Sequence, residues 1–485
     1  MASTSRLSTG IEGLDEILHG GFIPERNYML RGPAGSGKTI LGFHFLEAGL
    51  ENDETCLFIN LEEDVDDLRA NAAALGFETA SIEFLDLSPT PEAFTEDGSY
   101  DVFEAAEVEQ EPLAADIVDT VAAVEPDRVV VDPLTQFRYL TADDYQFRKQ
   151  VVGFMRYLKG QGATVVFTVQ NGRDLPTEDL EFIADGTISL ESSPYGRSVT
   201  VPKFRGSPTR GGDHTYRITD GGLRVFPSLE PGGAAVDFPS ESVSAGIPEV
   251  DELLHGGLER GTVSVVSGPT GVGKTTLCTQ FVKEAASHGE RSVIYLFEES
   301  RETFVARATA VDIPVEEMME RGTLEVREVE ALELSPQEFA NVVREDVEAN
   351  DTRIVMVDGI AGYRLTVRGE SDMVLRRMHA LGRYLKDQGV TTIFVDETKN
   401  ITGEFTATQE NISYLADNIV FLRHLELQGE LRKAIGVLKK RTSDFERTLR
   451  EFEITENGIT VGEPLTRMRG ILSGAPEPLE RTDDR

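Results

Sequence analysis

The chain carries one glycine loop twice. Gly32-Pro33-Ala34-Gly35-Ser36-Gly37-Lys38-Thr39 reads G-x-x-x-x-G-K-T, and Gly268-Pro269-Thr270-Gly271-Val272-Gly273-Lys274-Thr275 repeats it 236 residues later (268 − 32). The first loop follows an apolar run, Asn27 to Arg31, and opens an amphipathic segment, Ile40 to Leu50. That is the strand–loop–helix setting a phosphate loop requires. Its glycines let the backbone curl so that N–H groups point at an anion, its lysine reaches the terminal phosphates, and its threonine hydroxyl ligates Mg²⁺. The pattern predicts two nucleoside triphosphate sites. Gly32, Gly35, Ser36, Gly37, Lys38, Thr39 and Ile40 build the first; Gly268, Thr270, Gly271, Val272, Gly273, Lys274, Thr275 and Thr276 build the second.

The repeat extends beyond the loops. Leu7 to Gly21, with Gly10-Ile11, Asp15-Glu16 and His19-Gly20-Gly21, matches Val243 to Gly257, with Gly246-Ile247, Asp251-Glu252 and His255-Gly256-Gly257, again at an offset of 236. A chain of 485 residues is too long for one ordinary core, so each half is one domain. The boundaries expected are 1–232 and 243–472, with a Pro/Gly/Ala connector leading into a linker at 233–242 and a loose, acidic tail at 473–485. In each half, β-branched apolar runs alternate with helical patterns, predicting an α/β class with a mostly parallel sheet flanked by helices. The expected strands are Tyr28–Arg31, Cys56–Leu61, Arg128–Asp132, Thr164–Val169 and Gly186–Leu190, then Val263–Ser267, Ser292–Phe297, Arg353–Asp358, Thr391–Val395 and Asn418–Leu422.

Ligands of such sheets sit at the carboxyl ends of the strands. There the second strand of each half ends in a Glu pair, Glu62-Glu63 and Glu298-Glu299, placed to activate an attacking water or hydroxyl. The next strand ends in Asp132 or Asp358 after an apolar run, the Walker B pattern that holds Mg²⁺ with Thr39 or Thr275. The Glu-to-Asp spacing is 70 residues in the first half (132 − 62) and 60 in the second (358 − 298), the excess falling around Ser88 to Pro112. Late in each half come Lys203-Phe204-Arg205 and Lys439-Lys440-Arg441, also 236 apart. Strand alternation sets each Lys and Arg on one side. In a ring, that side reaches a neighbour's phosphates and neutralises charge on the transferred phosphoryl group.

Charge narrows the choice of partners. With 47 basic and 85 acidic residues the formal charge is −38, and most of the basic residues are Arg. Dense carboxylates with few lysines suit a cytoplasm of molar salt, predicting a halophilic source. The same charge argues against a nucleic-acid footprint, which needs a basic stripe. The loop after Asp132 carries Asp143 and Asp144 among its basic residues. Two cysteines, Cys56 and Cys278, make neither a zinc cage nor a disulfide framework. The N-terminal residues lack a signal-peptide core, and no run approaches the roughly 18 apolar residues of a membrane span, so a cytoplasmic location is expected.

With these residues in place, the chain resembles the KaiC family, the RecA-fold double-ATPase proteins of the cyanobacterial clock, and their archaeal KaiC-like relatives. The resemblance rests on the doubled entry segment, both glycine loops, both Glu pairs, both Walker B strands and both Lys-x-Arg stretches. Leu427 to Ile435 and Ile471 to Pro476 also look like the family's second half. It implies two tandem RecA-like P-loop NTPase domains in a homohexamer of stacked rings, with ATP and Mg²⁺ at subunit interfaces. Glu62 and Glu298 would be the general bases, and Lys203, Arg205, Lys439 and Arg441 would act in trans. It also implies self-phosphorylation in the second ring. Ser413 falls on the family's acceptor serine, Thr408 on a threonine that handles the phosphate, and Tyr414 replaces the adjacent acceptor threonine. A two-site cycle cannot run unchanged; a single-site switch at Ser413 can. Signalling partners are unknown. The alternatives are a RecA/RadA-like DNA-dependent ATPase and an ATP-gated scaffold with little catalysis.

Overall fold

A computed structural model describes residues 5–88, 110–140, 144–170, 178–193, 196–230, 241–366, 371–398, 412–427, 429–466, 468–472 and 477–478. Thr408, Asp143 and most of the insertion after Ser88 lie outside the described residues. The chain divides into two compact units, Met1–Ser228 and Leu229–Arg485.

The first unit is built on nine strands: β1 (Asn27–Gly32), β2 (Cys56–Asn60), β3 (Glu83–Asp86), β4 (Arg128–Asp132), β5 (Thr164–Gln170), β6 (Gly186–Ser193), β7 (Gly196–Phe204), β8 (His214–Thr219) and β9 (Gly222–Phe226). They lie in the order β3-β2-β4-β5-β1-β6-β7-β8-β9. The six from β3 to β6 run parallel, and β7 to β9 continue the sheet antiparallel. The second unit repeats this order with Leu324–Glu328, Ser292–Leu296, Ile354–Asp358, Thr391–Glu397, Val263–Gly268, Asn418–Leu427, Glu430–Lys440, Arg450–Thr455 and Gly458–Pro464.

Strands read as unbroken apolar runs because both sheet faces are covered. Val130 and Val166 face one core with Leu41, Phe45 and Leu46 of the helix Lys38–Leu50. Their neighbours Val129, Val131, Val165 and Phe167 face the other core, with Phe147, Val151, Met155 and Leu158 of the helix Asp144–Gly160. That spacing is the apolar stripe of a surface helix. The ten expected strands are all present. The edge strands β3 and Leu324–Glu328 escape the sequence reading because an edge is only half covered; no β3 residue is buried.

One expectation is corrected. Lys203 and Arg205 do not share a strand, nor do Lys439 and Arg441: β7 ends at Phe204 and its counterpart at Lys440. Each Arg opens a turn, fixed by its backbone N–H donating to the carbonyl of Asp185 (2.8 Å) or Asp417 (3.1 Å). No helix among the described residues is long and apolar enough to cross a membrane. Cys56 and Cys278 are free and buried.

Candidate nucleotide sites

In the first unit, β1 ends at Gly32 and the loop helix begins at Lys38. Gly35 and Gly37 between them have φ of 70° and 93°, a backbone region open to glycine at little cost. A Cβ on Gly32 would lie 2.5 Å from the Leu190 carbonyl oxygen and 2.7 Å from Ser36 Oγ. The antiparallel half of the sheet braces the loop from outside: Arg197 Nη1 donates to the Gly35 carbonyl (2.8 Å) and the Tyr216 hydroxyl to that of Ser36 (2.7 Å). Neither residue was anticipated from the sequence, since no local pattern links β7 and β8 to β1.

Lys38 is buried, and its Nζ donates to the carbonyls of Gly32 and Pro33, 2.9 Å each. Burial lowers its pKa, opposed by the nearby charges of Asp132 and Glu62. Thr39 Oγ1 donates to Asp132 Oδ2 at 2.6 Å, and Thr168 Oγ1 to the other carboxylate oxygen. Burial raises the Asp132 carboxyl, while these hydroxyls and Lys38 pull it back. Glu62 accepts a hydrogen bond from Gln170 Nε2 at 3.2 Å. Glu63 is raised by desolvation and then by Asp132 and Glu62.

The second unit rebuilds the cluster. Gly271 and Gly273 take φ of 70° and 111°, and Lys274 Nζ donates to the Pro269 carbonyl at 2.9 Å. Asp358 is raised to about 6 by burial, with Thr275 hydrogen-bonding its carboxyl. Glu298 is raised by desolvation and by Glu397 beside it. Glu299 differs from its twin Glu63, because Arg307 holds it in an ion pair. Arg307 also reaches Thr276 Oγ1 at 3.4 Å, whereas Asn71 stands at the equivalent position of the first unit. Arg307, Gln170 and Glu397 were missed in the sequence; the last two end the strand beside each loop strand, where the strand-end rule would have found them. Ile40 and Val272 turn their side chains to the core, so only their backbone faces the loops.

The cluster fits Mg²⁺ and a triphosphate. Neither Lys38 nor Lys274 forms an ion pair among the described residues, so each buried cation lacks a bonded anion. Ser36 Oγ, fully buried inside the first loop, has no hydrogen-bond partner among the described residues. No group of three or more His, Cys, Asp or Glu side chains able to cage a metal occurs among the described residues. A Thr hydroxyl and one carboxylate suit Mg²⁺, which completes its octahedron with phosphate oxygens and water.

The remaining candidates lie elsewhere. Lys203 pairs across the sheet with Thr187, near the start of β6, so it sits at the opposite end of the sheet from its own loop. Its Nζ donates to the Glu181 carbonyl, and Arg205 reaches the Phe182 carbonyl at 3.5 Å. In the second unit Lys439 Nζ donates to the carbonyls of Ser413 (2.8 Å) and Ala416 (2.7 Å), and Arg441 to that of Tyr414 (3.1 Å). Ser413 is half-buried in the short turn Ile412–Tyr414, and Tyr414 is exposed.

Both halves of the chain, residues 7–230 and 243–466, match the model of the KaiC ATPase family. The chain belongs to the KaiC family of ATPases. It is similar to the circadian clock oscillator protein KaiC of Prochlorococcus marinus (strain MIT 9313), 28% identical over 498 residues covering 99% of this chain and 96% of the relative. KaiC of Synechococcus elongatus is 28% identical over 491 residues, covering 97% and 92%. The circadian clock protein KaiC3 of Synechocystis sp. is also 28% identical, over 495 residues covering 97% and 94%. Membership of the KaiC family gives the doubled site its general chemistry, that of a nucleotide-binding ATPase.

Proposed function

We propose that this protein binds and hydrolyses ATP with Mg²⁺ at two sites per chain, each completed by another copy in a two-tiered homohexameric ring, and signals its nucleotide state to partner proteins. One observation carries the reading. Within each unit the phosphate loop and the Lys/Arg pair stand at opposite ends of one sheet, which supports cations that serve a second copy's phosphates rather than their own.

Lys38 or Lys274 and the loop N–H groups hold the β- and γ-phosphates. Glu62 or Glu298 takes a proton from water as the water oxygen attacks Pγ and the bond to the ADP oxygen breaks. Lys203 with Arg205, or Lys439 with Arg441, arrives from the neighbour and stabilises charge on the transferred group. Thr39 with Asp132, and Thr275 with Asp358, would hold Mg²⁺, which would supply further charge neutralisation when bound. Glu63 and Glu299 follow the bases in the chain and add negative charge beside them, with Glu299 tied by Arg307. The Ser413 hydroxyl, held beside Lys439 and so far from its own loop, takes the place of water on a second copy's ATP: its oxygen attacks Pγ while its proton passes to that copy's Glu298 and the bond to the ADP oxygen breaks, a serine autokinase reaction.

Because bound ATP bridges copies, occupancy and assembly are linked. Gel filtration with and without Mg·ATP tests this: Lys38→Ala and Lys274→Ala each weaken ATP binding and ring formation, and variants that assemble like the parent would sink the proposal. Peptide mass spectrometry after incubation with Mg·ATP locates phosphate on Ser413 or leaves an ATPase alone.

A further inference from the structure

The two sites differ at one position that touches both the base and the loop. In the sheet ladder Gly32, first glycine of the first loop, pairs with Gln170, the last residue of β5. Gly268 pairs in the same register with Glu397. Gln170 carries an amide that donates to Glu62; Glu397 has no proton to donate when ionised and stands by Lys274 and Glu298. The loop lysine and threonine, the aspartate and the first glutamate are the same in both units, while Thr168 gives way to Val395 and Asn71 to Arg307.

We propose that this residue divides the labour between the sites: Gln170 positions Glu62 to take the proton of the water that attacks bound ATP, and Glu397 competes with the triphosphate for Lys274, so that the second site holds nucleotide more loosely and turns over more slowly. The inference rests on the proposed ATPase reading. An oriented base raises the rate of the chemical step without tightening substrate binding. A carboxylate beside the phosphate-binding lysine repels an anionic ligand in both ground and transition states, and salt screens that repulsion.

Exchanging the two residues tests it in the full-length chain, because Gln and Glu have nearly the same shape. Glu298→Gln reports the first site alone and Glu62→Gln the second. In the first background, Gln170→Ala lowers single-turnover hydrolysis about tenfold with ATP affinity nearly unchanged, the loss expected for one hydrogen bond. Gln170→Glu weakens affinity as well. In the second background, where the first site still binds ATP, Glu397→Gln tightens the weaker of the two binding phases for a fluorescent ATP analogue roughly tenfold at low salt, and the gain shrinks as salt rises. Exchanges that leave rate and affinity at parental values, or an affinity change in Glu397→Gln that ignores salt, overturn the inference. If instead Glu62→Gln and Glu298→Gln combined leave hydrolysis intact, the ATPase reading itself fails.

Discussion

Gly37 and Gly273 hold the same place in the two loops, the left-handed residue that precedes the loop helix, yet an added methyl group meets different surroundings. In Gly37→Ala the new Cβ comes to 3.3 Å from Ile218 Cδ1, a tight contact that a small rotation relieves. In Gly273→Ala it comes to 2.3 Å from Ile454 Cδ1 and 3.1 Å from Phe452 Cε1. With φ at 93° and 111°, both alanines carry backbone strain of about 1–2 kcal/mol. Only the second must also push Ile454 from its rotamer against a fully buried phenylalanine, adding overpacking of about 1–3 kcal/mol. At about 2–4 °C per kcal/mol for domains of this size, Gly273→Ala lowers the melting temperature of its own unit about 2–12 °C further than Gly37→Ala lowers that of the other. Differential scanning calorimetry of the single variants without nucleotide measures this, the transition moved by each substitution identifying its unit. Equal shifts would refute the packing difference between the two loops.

Three further outcomes follow from the packing. His44 is buried with its Nε2 accepting the Leu223 N–H at 2.8 Å, and desolvation lowers its pKa from 6.5 to about 4. The unfolded chain therefore takes the proton first: this contribution is complete above about pH 6.5 and is lost as pH falls toward 4, about 3 kcal/mol in all. In urea titrations, the stability of the parent relative to His44→Gln should drop by about 2 kcal/mol between pH 7 and pH 5. Arg128, 1% exposed, pairs with Glu54 and donates to the carbonyls of Ser8 (2.7 Å) and Phe45 (2.8 Å), so Arg128→Ala costs the first unit about 3–5 kcal/mol by calorimetry. Arg307→Ala releases Glu299 next to Glu298 and slows hydrolysis severalfold in a Glu62→Gln chain, with no effect in a Glu298→Gln chain; equal slowing in both backgrounds would place Arg307 outside the second site.

The central sheet was legible because its physics is local. A strand covered on both faces must be apolar throughout, and Val129-Val130-Val131 before Asp132 announces itself without knowledge of its neighbours. The loops were legible because few residue types tolerate their backbone. The duplication turned weak single patterns, such as a Glu pair after a strand, into paired ones. What stayed hidden depends on pairing between distant segments. Arg197 and Tyr216 brace the first loop from strands more than a hundred residues away. Gln170 and Glu397 gain meaning only from the register that sets them against Gly32 and Gly268. The end of β7 at Phe204 is set by the turn that Arg205 makes with Asp185, not by the alternation of its own residues.

The separation of loop and cations within each sheet gives every copy a polarity. If each site is completed by a second copy, as proposed, one face would accept and the other donate, contacts between copies would be head-to-tail rather than self-complementary, and only a closed cycle would leave no face idle. An open stack of such copies would end with one loop that has no cations and one pair of cations that has no loop. Defects then fall on opposite sides of a junction. On the proposed reading, a copy lacking Lys203 and Arg205 would spoil the site of its neighbour and keep its own, while a copy lacking Lys38 would spoil only its own. Rings mixed from the two kinds would regain first-tier activity wherever the intact faces meet.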